Sequence, residues 1–597
     1  MDDLRSEARL SHPRPDFFRE HWQSLDGDWE FAFDDEDRGL HERWETAKRP
    51  YPMTIRVPFV YQSSKSGIGD NAYHPILWYR RRFTLREALR GGRVLLRFGA
   101  VDESCRVYVN GAMVSVHSGG YTPFAVDITP YLLPEENEVA LRVADSRDTA
   151  QPRGKQYWED GLMGCWYTPS SGIWQSVYLE KTGEIAVESV FVTPDIDHCR
   201  AQVELVLDRD VKNEYSCEYE LRFEGRLVRK IESLLPYKRY ELSLDMRDAN
   251  RVDSVRLWSP EHPALYDLYV RILKDGEVID EMATYFGMRK VETAKGNVLL
   301  NHSPVYQRLV LDQGYWPDTL LTPPDNAALR KDVEMIKAFG FNGVRKHQKI
   351  EDPRFYYWCD RLGLFCWGEL PSAYEYGFDT VKKQSRELQR FIERDYNHPS
   401  IITWVPLNES WGVREIYHHP RQQSYSMMLY YLCKALDGTR CVSGNDGWEQ
   451  TLTDISALHD YAGTGEDLAK HFHSREWVEE HFAGWRMSYA DGFAPRGGEA
   501  FMITEYGGIA MAMKGCQGKM ENMETWGYHD KVADEHDFIE RYRSLTDAIR
   551  ALPYCRGYCY TQLTDVMQEV NGLMTPDRTP KIAPETIAQY NINPDGY

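Results

Sequence analysis

The chain has 597 residues, 42% hydrophobic and 27% charged, a balance that excludes disordered, collagen-like and disulfide-stapled classes and leaves room for about two to four folded domains. Its 71 Lys and Arg against 92 Asp and Glu give a net charge of −21, which weighs against nucleic acid and anionic membranes as partners. No run reaches the roughly 18 apolar residues of a membrane span, MDDLRSEARLSHPRPDFFREHW carries no export signal, and the eleven cysteines lack C-x-x-C spacing, so reduced thiols in a cytoplasmic protein are expected.

From Trp22 to about Lys181 the text is strand and turn, with Asn110-Gly111 between two alternating runs marking a hairpin, and a β-sandwich is expected. From about Ile185 to Lys290, short strands separated by polar turns have the size and rhythm of an immunoglobulin-like β-sandwich. After Val291 strands alternate with helices. In DNAALRKDVEMIKAFG, Leu329, Val333, Ile336 and Phe339 fall at helical spacing, Asp325 or Asn326 caps the start and Gly340 ends it.

Eight candidate strands follow over about 300 residues, the count and size of a (β/α)8 TIM barrel: VYQRLVLD, FNGVRKH, LGLFCWGE, SIITWVPLNE, TRCVSGND, ISALHDY, FMITEYG and RGYCYTQLTD. Nearly all end in polar or ionisable residues: Asp312, Arg345 with His347, Glu369, Asn408 with Glu409, Asn445 with Asp446, His459 with Asp460 and Tyr461, Glu505, Gln562 with Asp565. Barrel active sites gather where strands end. Glu409 and Glu505 each close an apolar strand, and two such carboxylates are what glycoside hydrolysis requires. The high aromatic content, 13% of residues, also suits flat amphipathic ligands such as sugars.

The chain resembles glycoside hydrolase family 2, the family of β-galactosidases, β-glucuronidases and β-mannosidases. The resemblance is carried by DGDWEF, VYVNG, GGYTPF and SGIWQSVYLE in the first sandwich and by LWSPEHPALYDL in the second. In the barrel it rests on FNGVRKHQ, DRLGLFCWGE, RDYNHPSIITWVPLNES, FMITEYGG and TQLTDVMQEVNGLMTPDRTPK. It implies a sugar-binding jelly roll over 1–183, an immunoglobulin-like sandwich over 184–290 and a catalytic TIM barrel over 291–597.

By the same resemblance Glu409 is the acid/base and Glu505 the nucleophile of a retaining exo-β-glycosidase, with no cofactor, a carbohydrate substrate and room for a homo-oligomer. Asn408 is expected to bind the sugar 2-hydroxyl, Arg345 to keep Glu505 ionised and Tyr461 to donate to it, with Tyr506 and Tyr560 as competitors. The ionised Glu505 is expected to keep the proton on Glu409 near neutral pH. His347, His459 and Asp460 are candidates to hold sugar hydroxyls, their spacing matching no standard metal motif, and Trp367 and Trp411 to stack on sugar faces.

One departure bears on substrate. Family glucuronidases read the substrate carboxylate with an Asn-x-Lys pair, and here Asn571-Gly572-Leu573 lacks the Lys. The cationic end of the second strand, with Lys346, His347 and Lys349, is a substitute reader for a uronic acid, set against lysines simply paired with acids such as Glu351 and Asp352. From the first sandwich Asp160 is expected to reach the barrel mouth and bind a hydroxyl. The leading expectation is a terminal galacto-configured sugar, a β-galactoside or β-galacturonide, with an atypical β-glucuronidase as the alternative and a non-catalytic carbohydrate-binding protein as the remote one.

Overall fold

The computed structural model describes residues 7–46, 50–212, 214–248, 251–480, 488–511 and 524–592. Its first unit is a β-sandwich. One sheet runs Trp22–Ser24, Val177–Thr182, Arg93–Phe98, Phe124–Asp127, and the other runs Met53–Val57, Gly27–Phe33, Ile76–Phe83, Asn137–Ala144, Ser104–Val109, Ala112–Ser118. Alternating residues of both sheets, among them Trp29, Phe31, Leu77, Leu96, Phe98, Val107, Leu141 and Leu179, fill the space between them. Asn110 and Gly111 turn the hairpin at φ 49° and 81°, the left-handed pair that a tight two-residue turn demands.

The second unit has seven strands in sheets of three and four, the count of a constant-type immunoglobulin sandwich. The barrel follows: β1 Gln307–Asp312, β2 Gly343–Lys346, β3 Phe365–Glu369, β4 Ile401–Val405, β5 Cys441–Val442, β6 Ile455–Asp460, β7 Ala500–Gly507 and β8 Cys555–Thr561. They pair in parallel in the order β5-β4-β3-β2-β1-β8-β7-β6. Helices α1 Asn326–Ala338, α2 Pro353–Leu362, α3 Phe378–Asp395, α4 Pro420–Leu436, α5 Gly465–His471, α6 Arg475–Glu480, α7 Glu535–Arg550 and α8 Pro584–Asn591 lie between or after the strands.

Helix α1 starts where Asp325 Oδ1 accepts from Ala328 N at 2.8 Å and buries Leu329, Val333 and Ile336, each worth about 1.5–3 kcal/mol. Gly340, at φ 82°, ends it where a Cβ would stand 2.9 Å from Ala588 Cα.

The barrel departs from eight regular repeats at one seam. Among the described residues no helix joins β5 to β6; residues 443–454 cross as a polar turn, and the closure is made by Asp454 N to Val442 O at 2.8 Å and Gly447 N to Ala457 O at 3.2 Å. The segment SGNDGWEQTLTD has two glycines and only two apolar residues, Trp448 and Leu452, too little apolar surface for a covering helix. It places Asp446 at the mouth instead. No helix of the described residues is long and apolar enough to cross a membrane, and the ten described cysteines are free thiols.

Candidate active site

At the C-terminal ends of the strands a single guanidinium organises the mouth. Arg345, at the end of β2 and fully buried, donates from Nε to Glu369 Oε2 at 2.8 Å, from Nη1 to Glu505 Oε1 at 2.8 Å and from Nη2 to Asn408 Oδ1 at 2.6 Å, and Nη1 lies 3.0 Å from Asp446 Oδ1. Burial works against its charge, but Asp446, Glu369 and Glu505 more than offset that and hold it protonated. Five fork donors match this set of acceptors; an ammonium would not.

Glu505 is brought to Arg345 by a register shift. Between β6 and β7 the pairing slips after Leu458, so His459 lies opposite Glu505 and both point inward. The Tyr461 hydroxyl donates to Glu505 Oε2 and lies 3.3 Å from Thr561 Oγ1, while its ring stacks on Tyr528 with centroids 3.3 Å apart. Glu409 leaves β4 in the left-handed region, φ 49°, followed by Ser410 at φ 56°. Such backbone costs about 1–3 kcal/mol per residue and persists where surroundings fix it. Here Glu409 N donates to Asp446 O at 2.8 Å, Ser410 N to Asn445 Oδ1 at 3.0 Å and Ser410 Oγ to Glu449 Oε2 at 2.8 Å.

His459 lies between the carboxylates. Its Nδ1 is 2.9 Å from Glu409 Oε1, its Nε2 2.8 Å from Asp446 Oδ1 and 3.5 Å from Glu505 Oε1. Burial opposes its charge, yet Glu505, Asp446 and Glu409 raise it to about 9. Glu409 is held below the usual carboxylate range: burial opposes its charge, but the His459 hydrogen bond and charge, together with Lys155 and Arg345, outweigh it. Glu409 Oε1 and His459 Nδ1, 2.9 Å apart, are thus placed to share a proton. One donor atom each of Glu409, His459 and Glu505 lies within 4.8 Å of the others, a spacing that would suit a metal. Both ring nitrogens of His459, however, already stand within hydrogen-bond distance of carboxylate oxygens, Nδ1 of Glu409 and Nε2 of Asp446.

Asn408 Oδ1 is taken by Arg345, and its Nδ2 is a buried donor with no partner among the described residues, an atom that a ligand oxygen would satisfy. His347 points inward with Nδ1 3.0 Å from Glu369 Oε1. Trp411 joins Trp158, Trp166 and Tyr374 in a half-buried aromatic group at the rim, with ring centroids 4.5–5.7 Å apart.

Five expected residues lie elsewhere. Lys346, between inward Arg345 and inward His347, points outward by strand alternation, where its Nζ meets Asp312 Oδ2 at 2.6 Å and Glu351 Oε2 at 2.7 Å over the Phe355 ring of α2. Lys349 is buried on Glu351 at 2.7 Å; the two lysines after strand two are thus neither pocket readers nor solvated surface charges. Lys346→Met is expected to cost about 3–5 kcal/mol in urea unfolding by stranding Asp312, while Glu351 keeps Lys349 and the ratio of galactoside to uronide hydrolysis stays fixed. Asp460 is likewise the outward member of its strand and accepts from His471 Nδ1 at 2.8 Å. Asp160 stands exposed in an ion pair with Arg147, and Trp367 is buried inside the barrel on Gln307.

The first sandwich does reach the mouth, through other residues. Arg153 N and Gly154 N donate to Ser372 O at 2.9 and 3.1 Å, and Gly154, φ 58°, comes so close to Gln348 that a Cβ would stand 2.2 Å from its carbonyl oxygen. This fixes Lys155, 8% exposed, facing Cys165, Glu569, Tyr374 and Glu409. Among the described residues it has no carboxylate in ion-pair contact. The neighbouring Tyr167, whose N donates to Lys155 O at 2.8 Å, gives its hydroxyl to Glu569 after β8, and Glu569 Oε1 accepts from Asn571 Nδ2 at 3.1 Å.

Three family descriptions cover the chain: "Glycosyl hydrolases family 2, sugar binding domain" matches 22–183, "Glycosyl hydrolases family 2" 185–289 and "Glycosyl hydrolases family 2, TIM barrel domain" 291–593. The chain belongs to glycoside hydrolase family 2. Among family relatives, a β-galactosidase of Thermoanaerobacter pseudethanolicus is 28% identical over 368 residues, 60% of this chain and 48% of that protein. A putative β-glucuronidase of Formosa agariphila is 28% identical over 376 residues, 61% and 44% respectively. The chain thus spans less than half the length of these two family members. The β-glucuronidase of Ruminococcus gnavus solved with D-glucuronic acid shares the fold, with TM-score 0.76, 22% identity, and coverage of 96% of this chain and 98% of that one.

Proposed function

We propose that this protein is a retaining exo-β-glycosidase that removes a terminal, neutral, galacto-configured sugar. The observation that carries the reading is the approach of Glu409 and Glu505, each offering an oxygen within 4.8 Å of the other. That is in keeping with the roughly 5–5.5 Å between the carboxyl groups of retaining enzymes rather than the roughly 6.5–9.5 Å of inverting ones.

Glu505, ionised against Arg345 and steadied by Tyr461, attacks the anomeric carbon while Glu409 delivers a proton to the leaving oxygen. The glycosyl ester removes the charge of Glu505, and Glu409 then takes a proton from water, whose oxygen attacks the same carbon and frees Glu505. Asn408 Nδ2 meets the 2-hydroxyl, a bond that strengthens as the ring gains oxocarbenium character.

The neutral sugar follows from pocket charge. Three carboxylates, Glu409, Glu505 and Glu569, face the cavity, and Arg345 and His459 are already committed to carboxylates. Lys155 is the one remaining cation among the described residues there, and Glu569 and Glu409 already balance it. A uronate would add a further anion, whereas hydroxyls can bridge Lys155 and Glu569. The galacto configuration is taken from the β-galactosidases among the relatives. The competing reading, a uronide with Lys155 as its carboxylate reader, is favoured by the absence of a contacting carboxylate at that lysine.

Aryl β-galactoside, β-galacturonide and β-glucuronide compared on one preparation decide between them. We expect the galactoside to lead, and Lys155→Met to lower its kcat/KM about 10–100-fold, the loss of one or two charged hydrogen bonds. A uronide preference abolished by Lys155→Met would establish the acid reading instead.

A further inference from the structure

We propose that His459 is the proton store of the reaction: the acid is the Glu409–His459 pair rather than Glu409 alone, with His459 as its positioning residue. This rests on Glu409 being the acid/base. The geometry is direct. Nδ1 stands 2.9 Å from Glu409 Oε1, Nε2 stands 2.8 Å from Asp446 Oδ1, and the ring lies against Gly447, where a Cβ would stand 2.4 Å from its Nδ1. Gly447 (φ 95°) and the Asp446 carboxylate together allow one ring orientation, which aims Nδ1 at the acid.

The titratable groups around the ring include His347 after β2, whose own charge is disfavoured by burial above all and also by Lys155, Arg345 and His459. Glu409 comes from the end of β4, Asp446 from the turn after β5, Glu505 from β7 at 3.5 Å, and Arg345 from β2, its Nη1 3.2 Å from Nε2. Three carboxylates against one guanidinium favour an imidazolium, in line with its elevation to about 9.

One proton moves and returns. As the anomeric carbon leaves its oxygen for Glu505, the proton on Nδ1 passes through Glu409 Oε1 to the leaving oxygen, and both members of the pair are left without it. In the second step water gives its proton back through Glu409 to Nδ1 as its oxygen takes the anomeric carbon from Glu505. Asp446 stays ionised throughout, held below its usual range because the Arg345 charge and the His459 bond outweigh burial.

The test is the pH dependence of kcat/KM for two aryl galactosides, one with a good and one with a poor leaving group, in the wild type, His459→Gln and Glu409→Gln. Gln keeps a hydrogen-bond donor beside Glu409 and cannot titrate. In the wild type the alkaline limb is expected near 9, where the pair loses its proton. In His459→Gln it should move down by about two units or more, with about 10–100-fold loss on the poor leaving group and little on the good one. A wild-type limb below 7 overturns the proposal without any variant, as does a His459→Gln profile with the limb in place and both substrates equally slowed, the mark of a merely structural role. If Glu409→Gln also fails to discriminate between leaving groups, the acid/base reading itself falls; if it discriminates and His459→Gln does not, only the proton store does.

Discussion

Glu505→Gln is expected to lower kcat on an aryl β-galactoside by about 10,000-fold or more, the scale seen when an enzyme loses its nucleophile. The substitution keeps the shape of the side chain and one acceptor for Arg345 and Tyr461, but an amide oxygen is a far poorer nucleophile. Arg345 retains Glu369 and Asp446, so the fold should hold, with an unfolding midpoint close to the wild type. Parent-like turnover by the folded variant would remove Glu505 from the role.

Arg345→Gln is expected to affect both stability and chemistry. It leaves Glu369, Asp446 and Glu505 buried together without their common cation, and breaking such a cluster costs about 3–5 kcal/mol, readable by urea unfolding. The surviving fraction should also turn over more slowly, because no guanidinium holds Glu505 Oε1 and Asn408 Oδ1 in place. Arg345→Lys should rescue little, since one ammonium cannot reach acceptors spread over β3, β4, β7 and the turn after β5. A stable, active Arg345→Gln would mean that the cation does not organise the site.

Much of this site is legible in the sequence because parallel strands end where barrels do chemistry. The ends of β2, β4, β6 and β7 supply Arg345, Asn408 with Glu409, His459 with Tyr461, and Glu505, all adjacent in space. What fails is side-chain parity. Lys346 and Asp460 sit beside inward-pointing residues and so point outward, a consequence of strand alternation that motif matching overlooks. Counting alternation along RKH and HDY, with Arg345 and Tyr461 set inward, would have separated them.

Asp446 and Glu369 end β5 and β3 and were visible as strand ends, but nothing local distinguishes a carboxylate that binds Arg345 from one that binds substrate. Lys155 carries no signal at all in its own stretch. Its position depends on how Gly154 docks on Ser372 and Gln348, residues about 200 positions further along the chain, and the acidic neighbour Asp160 draws attention to the wrong end of KQYWED.

The central claim, a covalent intermediate on Glu505, is tested most directly with 2,4-dinitrophenyl 2-deoxy-2-fluoro-β-D-galactoside. Fluorine at C2 slows both steps by disfavouring the oxocarbenium-like transition state, while the activated leaving group keeps the first step faster, so the glycosyl ester accumulates. Peptide mapping by mass spectrometry should find one fluorogalactosyl group, on the carboxylate of Glu505 in ITEYG. Label on Glu409, or complete hydrolysis with inverted anomeric product and no label, would contradict the account.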